Sequence, residues 1–192
     1  MGMGAQNRIA TWPNLLSLTR AALGPVVMLV LMVGGSSCLA AALLLMAIAE
    51  ASDWADGWLA RRLALDPGIG RLVDLAADTV YHLAVYTAFL ANGWMPPMVL
   101  FLIFAQELIV PYMRTFGLQR GRKLEIRWSS QAKTAADGVC QIAVVAMMLL
   151  FFMDEPASGA RAATALVGIA ALASMLTMVD HAIAGYDLWS RP

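Results

Sequence analysis

The sequence predicts an all-α integral membrane protein with six transmembrane helices and both termini in the cytoplasm. Three observations predict it. The 192-residue chain is 60% hydrophobic and only 14% charged, against roughly 45–50% apolar and ~25% charged in soluble domains. The apolar residues gather into runs of about the 20 residues that a helix needs to cross a bilayer. The basic residues, equal in number to the acidic ones, crowd into alternate connections, the asymmetry that orients membrane proteins. One membrane domain over 1–192 accounts for the length. Membrane lipids are the expected surroundings, and no nucleic-acid partner is expected; the net charge is zero, and it is the clustering of the charges that informs.

Residues 1–12 carry a lone Arg8 and no signal-peptide pattern; they read as a tail or as a short helix lying on the membrane surface. The first span, 15–33, ends at "GGSS". The second, 38–62, and the third, 69–91, are separated by "DPG". "NGWMPP" leads into the fourth, 96–118. The fifth, 130–152, and the sixth, 162–185, are divided by "MDEPASG". Each break is built of residues that leave helices or turn the chain. Pro25 and Pro111 fall inside spans and are expected to kink or loosen them.

The connections after spans one and three contain no Lys or Arg, and the one after span five has Arg161 alone. Arg61, Arg62 and Arg71 surround the 2–3 connection. Arg114, Arg120, Arg122, Lys123, Arg127 and Lys133 surround the 4–5 connection. These face the cytoplasm by the positive-inside rule. Trp94 and Trp128 stand at span ends, as interfacial aromatics do. Cys38 and Cys140 lie in apolar runs and read as small buried thiols without a disulfide. Asp180 and His181, near the end of the sixth span, read as interfacial, and His82 as a packing or hydrogen-bonding residue.

One stretch breaks the apolar pattern: "DWADGWLARRLALDPGIGRLVDLAAD", residues 53–78, with five aspartates and three arginines. At 100° per residue, with Asp53 at zero, Asp56 lies at about −60°, Gly57 at about +40° and Ala60 at about −20°, one stripe bordered by Arg61. With Gly70 at zero, Asp74 lies at about +40° and Asp78 at about +80°. A short Pro-Gly turn makes the two helices antiparallel neighbours, so four carboxylates can converge beside small residues that leave room for a ligand. Ionised groups at membrane depth are costly and are usually paired, wet or functional. Four acids together repel unless cations neutralise them. An all-oxygen set favours a hard ion, Mg²⁺ or Mn²⁺, over zinc, and four carboxylates can hold two such ions, an arrangement suited to in-line displacement at phosphorus. The alternative use of the acids is helix-packing ion pairs with Arg61, Arg62 or Arg71. A cation carrier or channel would also use intramembrane acids, but would string them along the span.

Asp53, Asp56, Gly57, Ala60, Arg61, Gly70, Asp74 and Asp78 fit D-x2-D-G-x2-A-R-x8-G-x3-D-x3-D without a mismatch. The chain thereby resembles the CDP-alcohol phosphotransferase family (CDP-alcohol phosphatidyltransferases) of phospholipid synthesis. The resemblance implies a dimeric helical membrane fold of the bacterial inner membrane, with the site opening to the cytoplasm. It implies two divalent metals, Mg²⁺ or Mn²⁺, and transfer of a phosphatidyl group from CDP-diacylglycerol to an alcohol with release of CMP. Asp53, Asp56, Asp74 and Asp78 resemble the metal ligands, and Asp78 also the general base, so that Asp74 and Asp78 are the expected catalytic pair. Asp53, Asp56, Gly57, Ala60, Arg61, Gly70 and Asp74 resemble the CDP-binding positions.

Within the family, "PNLLSLTRAALGP" (13–25) resembles the start of phosphatidylglycerophosphate synthases, where a Pro, a hydroxyl residue, an Arg and a second Pro recur. "QELIVPYMRTF" (106–116) resembles their "REI…LR" stretch with Gln106 in place of Arg, and "AKTAAD" (132–137) their "KT" element. Thr79 follows the last motif Asp where those synthases often have Lys. The expected acceptor is a phosphorylated alcohol, sn-glycerol 3-phosphate first, held by Arg114, Lys133 and Arg122. Phosphatidylinositol-phosphate synthases and cardiolipin-type enzymes are the neighbouring alternatives. For the basic loop, the plainer role is orientation and attraction of anionic lipid. Glu107 could position Arg114 or be paired for packing, and Glu50 could support the site or face a cavity.

Overall fold

The computed structural model describes residues 12–62, 68–119, 128–151 and 156–190; within the helices, side chains at 12–14, 53, 54, 56–62, 68–72, 114–119, 128–132, 156, 184, 185 and 187–190 fall outside the description. Six helices make up the regular structure of the described residues: α1 (Trp12–Val33), α2 (Ser36–Arg62), α3 (Gly68–Ala91), α4 (Pro97–Gln119), α5 (Trp128–Leu150) and α6 (Pro156–Ser190). They correspond one for one to the six expected spans. α6 starts six residues before the expected 162, because Pro156 suits a first helical turn, where its missing N–H is no loss. α1 and α4 continue through Pro25 and Pro111.

The breaks follow from local chemistry. Gly34 and Gly35 have φ of 79° and 92°, a left-handed backbone that costs a side chain about 1–2 kcal/mol. Gly35 then opens α2, its carbonyl accepting from Leu39 N–H at 3.0 Å. The end of α3 is a Schellman motif. Gly93, with φ of 73°, donates to Leu90 O at 3.0 Å, and Trp94 N–H to Phe89 O at 2.9 Å. The hydrophobic contact that accompanies this motif is the Phe89–Trp94 ring pair, 5.7 Å between centroids. Trp94 is therefore buried, at 8% exposure, and caps a helix instead of facing an interface. At the start of α4, Val99 N–H donates to Pro96 O at 3.0 Å.

The chain forms two compact units, Met1–Ala88 and Phe89–Pro192. In the first, α1 packs on α2. The buried stripe of α2 is Leu39, Ala42, Met46 and Ala49, the 3-4-3 spacing of one helix face; Val27 and Leu31 are the buried residues of α1's later turns. In the second unit, α6 packs on both α4 and α5. Val144, Val145, Ala163 and Val167 are buried there, Cys140 Sγ donates to Leu166 O at 3.6 Å, and Thr164 Oγ1 donates to Trp94 O at 3.1 Å. Both cysteines are free thiols, Cys140 buried and Cys38 partly exposed.

Large apolar side chains point outward along the helices, among them Leu29 at 60%, Phe101 at 61% and Leu176 at 73% exposure. A water-soluble protein of this size does not present so much aliphatic surface; lipid tails are its natural cover. Among the described residues three helical segments are long and apolar enough to cross a membrane, Leu15–Val33, Lys133–Leu150 and Ala157–Ile183. Several hydroxyls within the helices are satisfied by their own helix, as hydrocarbon demands. Thr19, Thr87 and Thr177 hydroxyls donate to the carbonyls of Leu15, Leu83 and Ala173 one turn back. His181 is fully buried, its Nδ1 2.8 Å from Thr177 O. It is therefore an interior residue and not the interfacial one its position near the helix end suggested.

Candidate functional site

On α3, Asp74 and Asp78 stand one helical turn apart, so their carboxylates share a face. The side chain that meets them comes from α1. Arg20 Nη2 donates to Asp74 Oδ1 at 2.6 Å and lies 2.7 Å from Asp78 Oδ1. Ser17, one turn earlier on α1, donates from Oγ to the same Asp74 oxygen at 3.3 Å. The Arg20 side chain is 3% exposed, while those of Asp74 and Asp78 are 44% and 20% exposed. The arginine thus approaches from the protein interior, and the acids keep an accessible side.

The approach is possible because of Gly24. A Cβ at that position would fall 2.8 Å from Tyr81 Cα and 3.3 Å from Ala84 Cβ. α1 therefore rests on the backbone of α3 one turn beyond Arg20 and Asp78, and the arginine reaches the acids without spanning a gap. Tyr81 is buried at 1% exposure. His82 is buried and meets Tyr81 edge to face at 5.2 Å, a packing role as expected.

Of the remaining motif residues, the backbone alone is described. Asp53, Asp56, Gly57, Ala60 and Arg61 lie on the last turns of one continuous helix, α2, and Gly70 in the first turn of α3. Their side chains lie outside the described residues, as do those of Arg62 and Arg71, the partners considered from sequence for the acids. Among the described residues no three metal-binding side chains gather; Asp74 and Asp78 present oxygens that both reach a single cation.

The second unit holds its own buried charge cluster. Lys133 on α5 pairs with Glu107 of α4 in a short contact and with Asp137 one turn along α5 at 2.8 Å. Lys133 and Asp137 are 6% and 2% exposed. Glu107 thus pairs with Lys133; the side chain of Arg114 lies outside the described residues, and Arg122 falls in 120–127, outside them altogether. Gln106, where the resembling synthases have Arg, is buried beside Glu107 in sequence.

Sequence reasoning looked for the partner of the acids in the arginines near the same turn and passed over Arg20 and Ser17. The signal was present: a Ser and an Arg three residues apart inside an otherwise apolar span share one helix face and need a polar partner there.

Comparison with known proteins gives the family. Residues 10–183 match the family model described as CDP-alcohol phosphatidyltransferase. A Mycobacterium tuberculosis protein named probable phosphatidylglycerophosphate synthase is 31% identical over 179 residues, 91% of this chain and 81% of that one. The Escherichia coli CDP-diacylglycerol–glycerol-3-phosphate 3-phosphatidyltransferase is 27% identical over 173 residues, 78% of this chain and 94% of that one. The CMP-forming cardiolipin synthase of Streptomyces coelicolor is 33% identical over 110 residues, 56% of this chain and 51% of that one. The chain spans about half the length of the cardiolipin synthase relatives it matches. With residues 10–183 matched, and with a relative matched along 91% of this chain's length, the chain belongs to the CDP-alcohol phosphatidyltransferase family.

Proposed function

We propose that this protein is a phosphatidyltransferase that moves a phosphatidyl group from CDP-diacylglycerol to sn-glycerol 3-phosphate, giving phosphatidylglycerophosphate and CMP. The observation that carries the reading is the paired carboxylates of Asp74 and Asp78 at the end of the family's motif. Relatives named for this reaction that match along most of the chain support it.

In this reading the acceptor's hydroxyl oxygen bonds to the β-phosphorus of the CDP-lipid. The bond from that phosphorus to the bridging oxygen breaks, and CMP leaves with the electron pair. Asp78 takes the hydroxyl proton, as a carboxylate within hydrogen-bond reach can. Members of the family generally depend on a divalent metal; Asp53, Asp56, Asp74 and Asp78 would hold two ions, Mg²⁺ or Mn²⁺. The donor set fits, being all oxygen, with the two described members already arranged about one positive charge. When bound, such ions supply neutralisation of the charge that develops on the diphosphate. Gly57, Ala60 and Gly70 leave room for the nucleotide, and Arg61 meets its phosphate oxygens.

Arg114, Arg122 and Lys133 hold the acceptor's phosphate. Arg114 and Arg122 are the stronger carriers, because Lys133 already faces Glu107 and Asp137. The proposal extends to a homodimer in a bacterial inner membrane, crossing it six times with both termini and the site on the cytoplasmic side.

A second reading has a specific observation behind it. The 33% identity to a CMP-forming cardiolipin synthase and the neutralised Lys133 favour a lipid alcohol with less charge at its reacting end. One experiment separates the two. Purified protein is given CDP-diacylglycerol, Mg²⁺ and, in parallel, glycerol 3-phosphate, inositol phosphate or phosphatidylglycerol, and the lipid products are identified by mass. Phosphatidylglycerophosphate as the main product supports the first reading, and cardiolipin the second. No CMP release from any of them would sink both and reopen an ion-carrying role for the acids.

A further inference from the structure

Arg20 engages one oxygen of each of the two carboxylates that a divalent ion at Asp74 and Asp78 would use. We propose that Arg20 is a resident cation that competes with the divalent ion for these carboxylates, and so sets the ion concentration at which the site loads. The inference rests on the metal-dependent reading above and goes beyond it by adding a residue outside the motif.

Three features of the geometry carry it. First, the contact is close on both sides: one nitrogen, Nη2, lies 2.6 Å from Asp74 Oδ1 and 2.7 Å from Asp78 Oδ1. A guanidinium that bridges two carboxylates neutralises half their charge and holds both side chains to one rotamer. Second, Arg20 cannot withdraw far. Gly24 seats α1 against the Tyr81 backbone with no room for a Cβ, and the arginine side chain is 3% exposed. Its charge therefore stays within a few ångströms of any ion that binds the acids. Third, the acids are reachable from the other side, Asp74 at 44% and Asp78 at 20% exposure. An arriving ion meets them there while Arg20 holds them from within.

The consequence is an exchange. At low divalent ion, Arg20 keeps α1 and α3 together and prevents repulsion between the acids. When an ion binds, it shares oxygens with a fixed like charge and binds more weakly than the acids alone would allow. Ser17 belongs to the same device, since its hydroxyl donates to the Asp74 oxygen that Arg20 also holds.

The test measures ion binding and stability without turnover. Wild type, Arg20→Gln and Arg20→Lys are purified in detergent, stripped with chelator and titrated with Mn²⁺, with bound ion read from loss of the free-ion electron paramagnetic resonance signal. Thermal unfolding is followed in parallel. Arg20→Gln is expected to unfold at lower temperature in chelator, to bind Mn²⁺ roughly tenfold more tightly, the low end of what one unit charge at 4–6 Å does to a carboxylate's proton affinity, and to gain more in unfolding temperature on loading. Arg20→Lys keeps the charge but loses the planar bridge; it is expected between the other two, and it decides the matter if the Gln variant does not fold. Equal or weaker Mn²⁺ binding in the variants overturns this inference alone, leaving Arg20 a structural partner. Absence of Mn²⁺ binding in the wild type overturns it together with the metal-dependent reading.

Discussion

Gly24 of α1 lies so close to Tyr81 of α3 that a Cβ on the glycine would stand 2.8 Å from the tyrosine's Cα. The neighbour is backbone and cannot step aside. This contact fixes the height and distance at which α1 presents Arg20 to Asp74 and Asp78, one helical turn away. Gly24→Ala is expected to push the helices apart, costing about 1–3 kcal/mol as overpacking does, and to lengthen both ion pairs. CMP release should fall with thermal stability. A Gly24→Ala enzyme that keeps both at wild-type level would show that α1 has slack, and the role given to Arg20 would lose its support.

The motif acids should behave differently from Gly24. Asp53→Asn, Asp56→Asn and Asp74→Asn each remove a charge without changing shape, so the protein should still elute as a folded species while turnover nearly vanishes. Mg²⁺ or Mn²⁺ should restore a chelated wild-type enzyme. Ca²⁺ should not, because its larger, looser coordination suits an in-line site poorly. Wild-type rates in any two of these variants would contradict the metal-site assignment.

The order of the helices, and the ends of all but the sixth to within a few residues, were legible in the sequence because membrane helices obey two plain rules, length and turn chemistry. Six helices appear over the expected segments, three of them with stretches long and apolar enough to cross a membrane among the described residues. What was harder to read came from contacts between helices distant in sequence. Arg20 and Asp74 are 54 residues apart, and no spacing rule on either helix names the other. Trp94 looked interfacial by position, yet the Schellman turn at Gly93 folds it onto Phe89. His181 looked interfacial by its place near a helix end, yet α6 is longer than its apolar run and buries that face. In each case the local signal was right about the element and silent about its neighbour.

Lys133 is expected to matter first for stability. Lys133→Met removes the ammonium that pairs with both Glu107 and Asp137, and breaking such a buried pair costs about 3–5 kcal/mol. Combining it with Glu107→Gln and Asp137→Asn removes the stranded charges and should recover much of the loss, since replacing a whole buried ionic group is often near neutral. Thermal unfolding of the single and triple variants in detergent checks this. A single variant as stable as wild type would mean the cluster is wet enough to dispense with its cation.

The acceptor is where charge arithmetic decides most. If the acceptor carries a phosphate, the arginines of the 4–5 connection must supply what Lys133, already facing two acids, supplies poorly. Losing one charge-assisted contact costs roughly 1.5–3 kcal/mol, about ten- to a hundredfold in kcat/KM for the acceptor. Arg114→Ala should show that loss while the KM for CDP-diacylglycerol barely moves. Arg114→Lys should also suffer, because an ammonium cannot bind phosphate in the planar, two-pronged way of a guanidinium. Arg122→Ala should weaken the acceptor in the same sense. Suppose instead that these variants leave glycerol 3-phosphate kinetics unchanged, or that phosphatidylglycerol outcompetes it. Then the basic connection orients the chain in the membrane and does no more, the phosphorylated acceptor is wrong, and the cardiolipin-type reading takes its place within the same family.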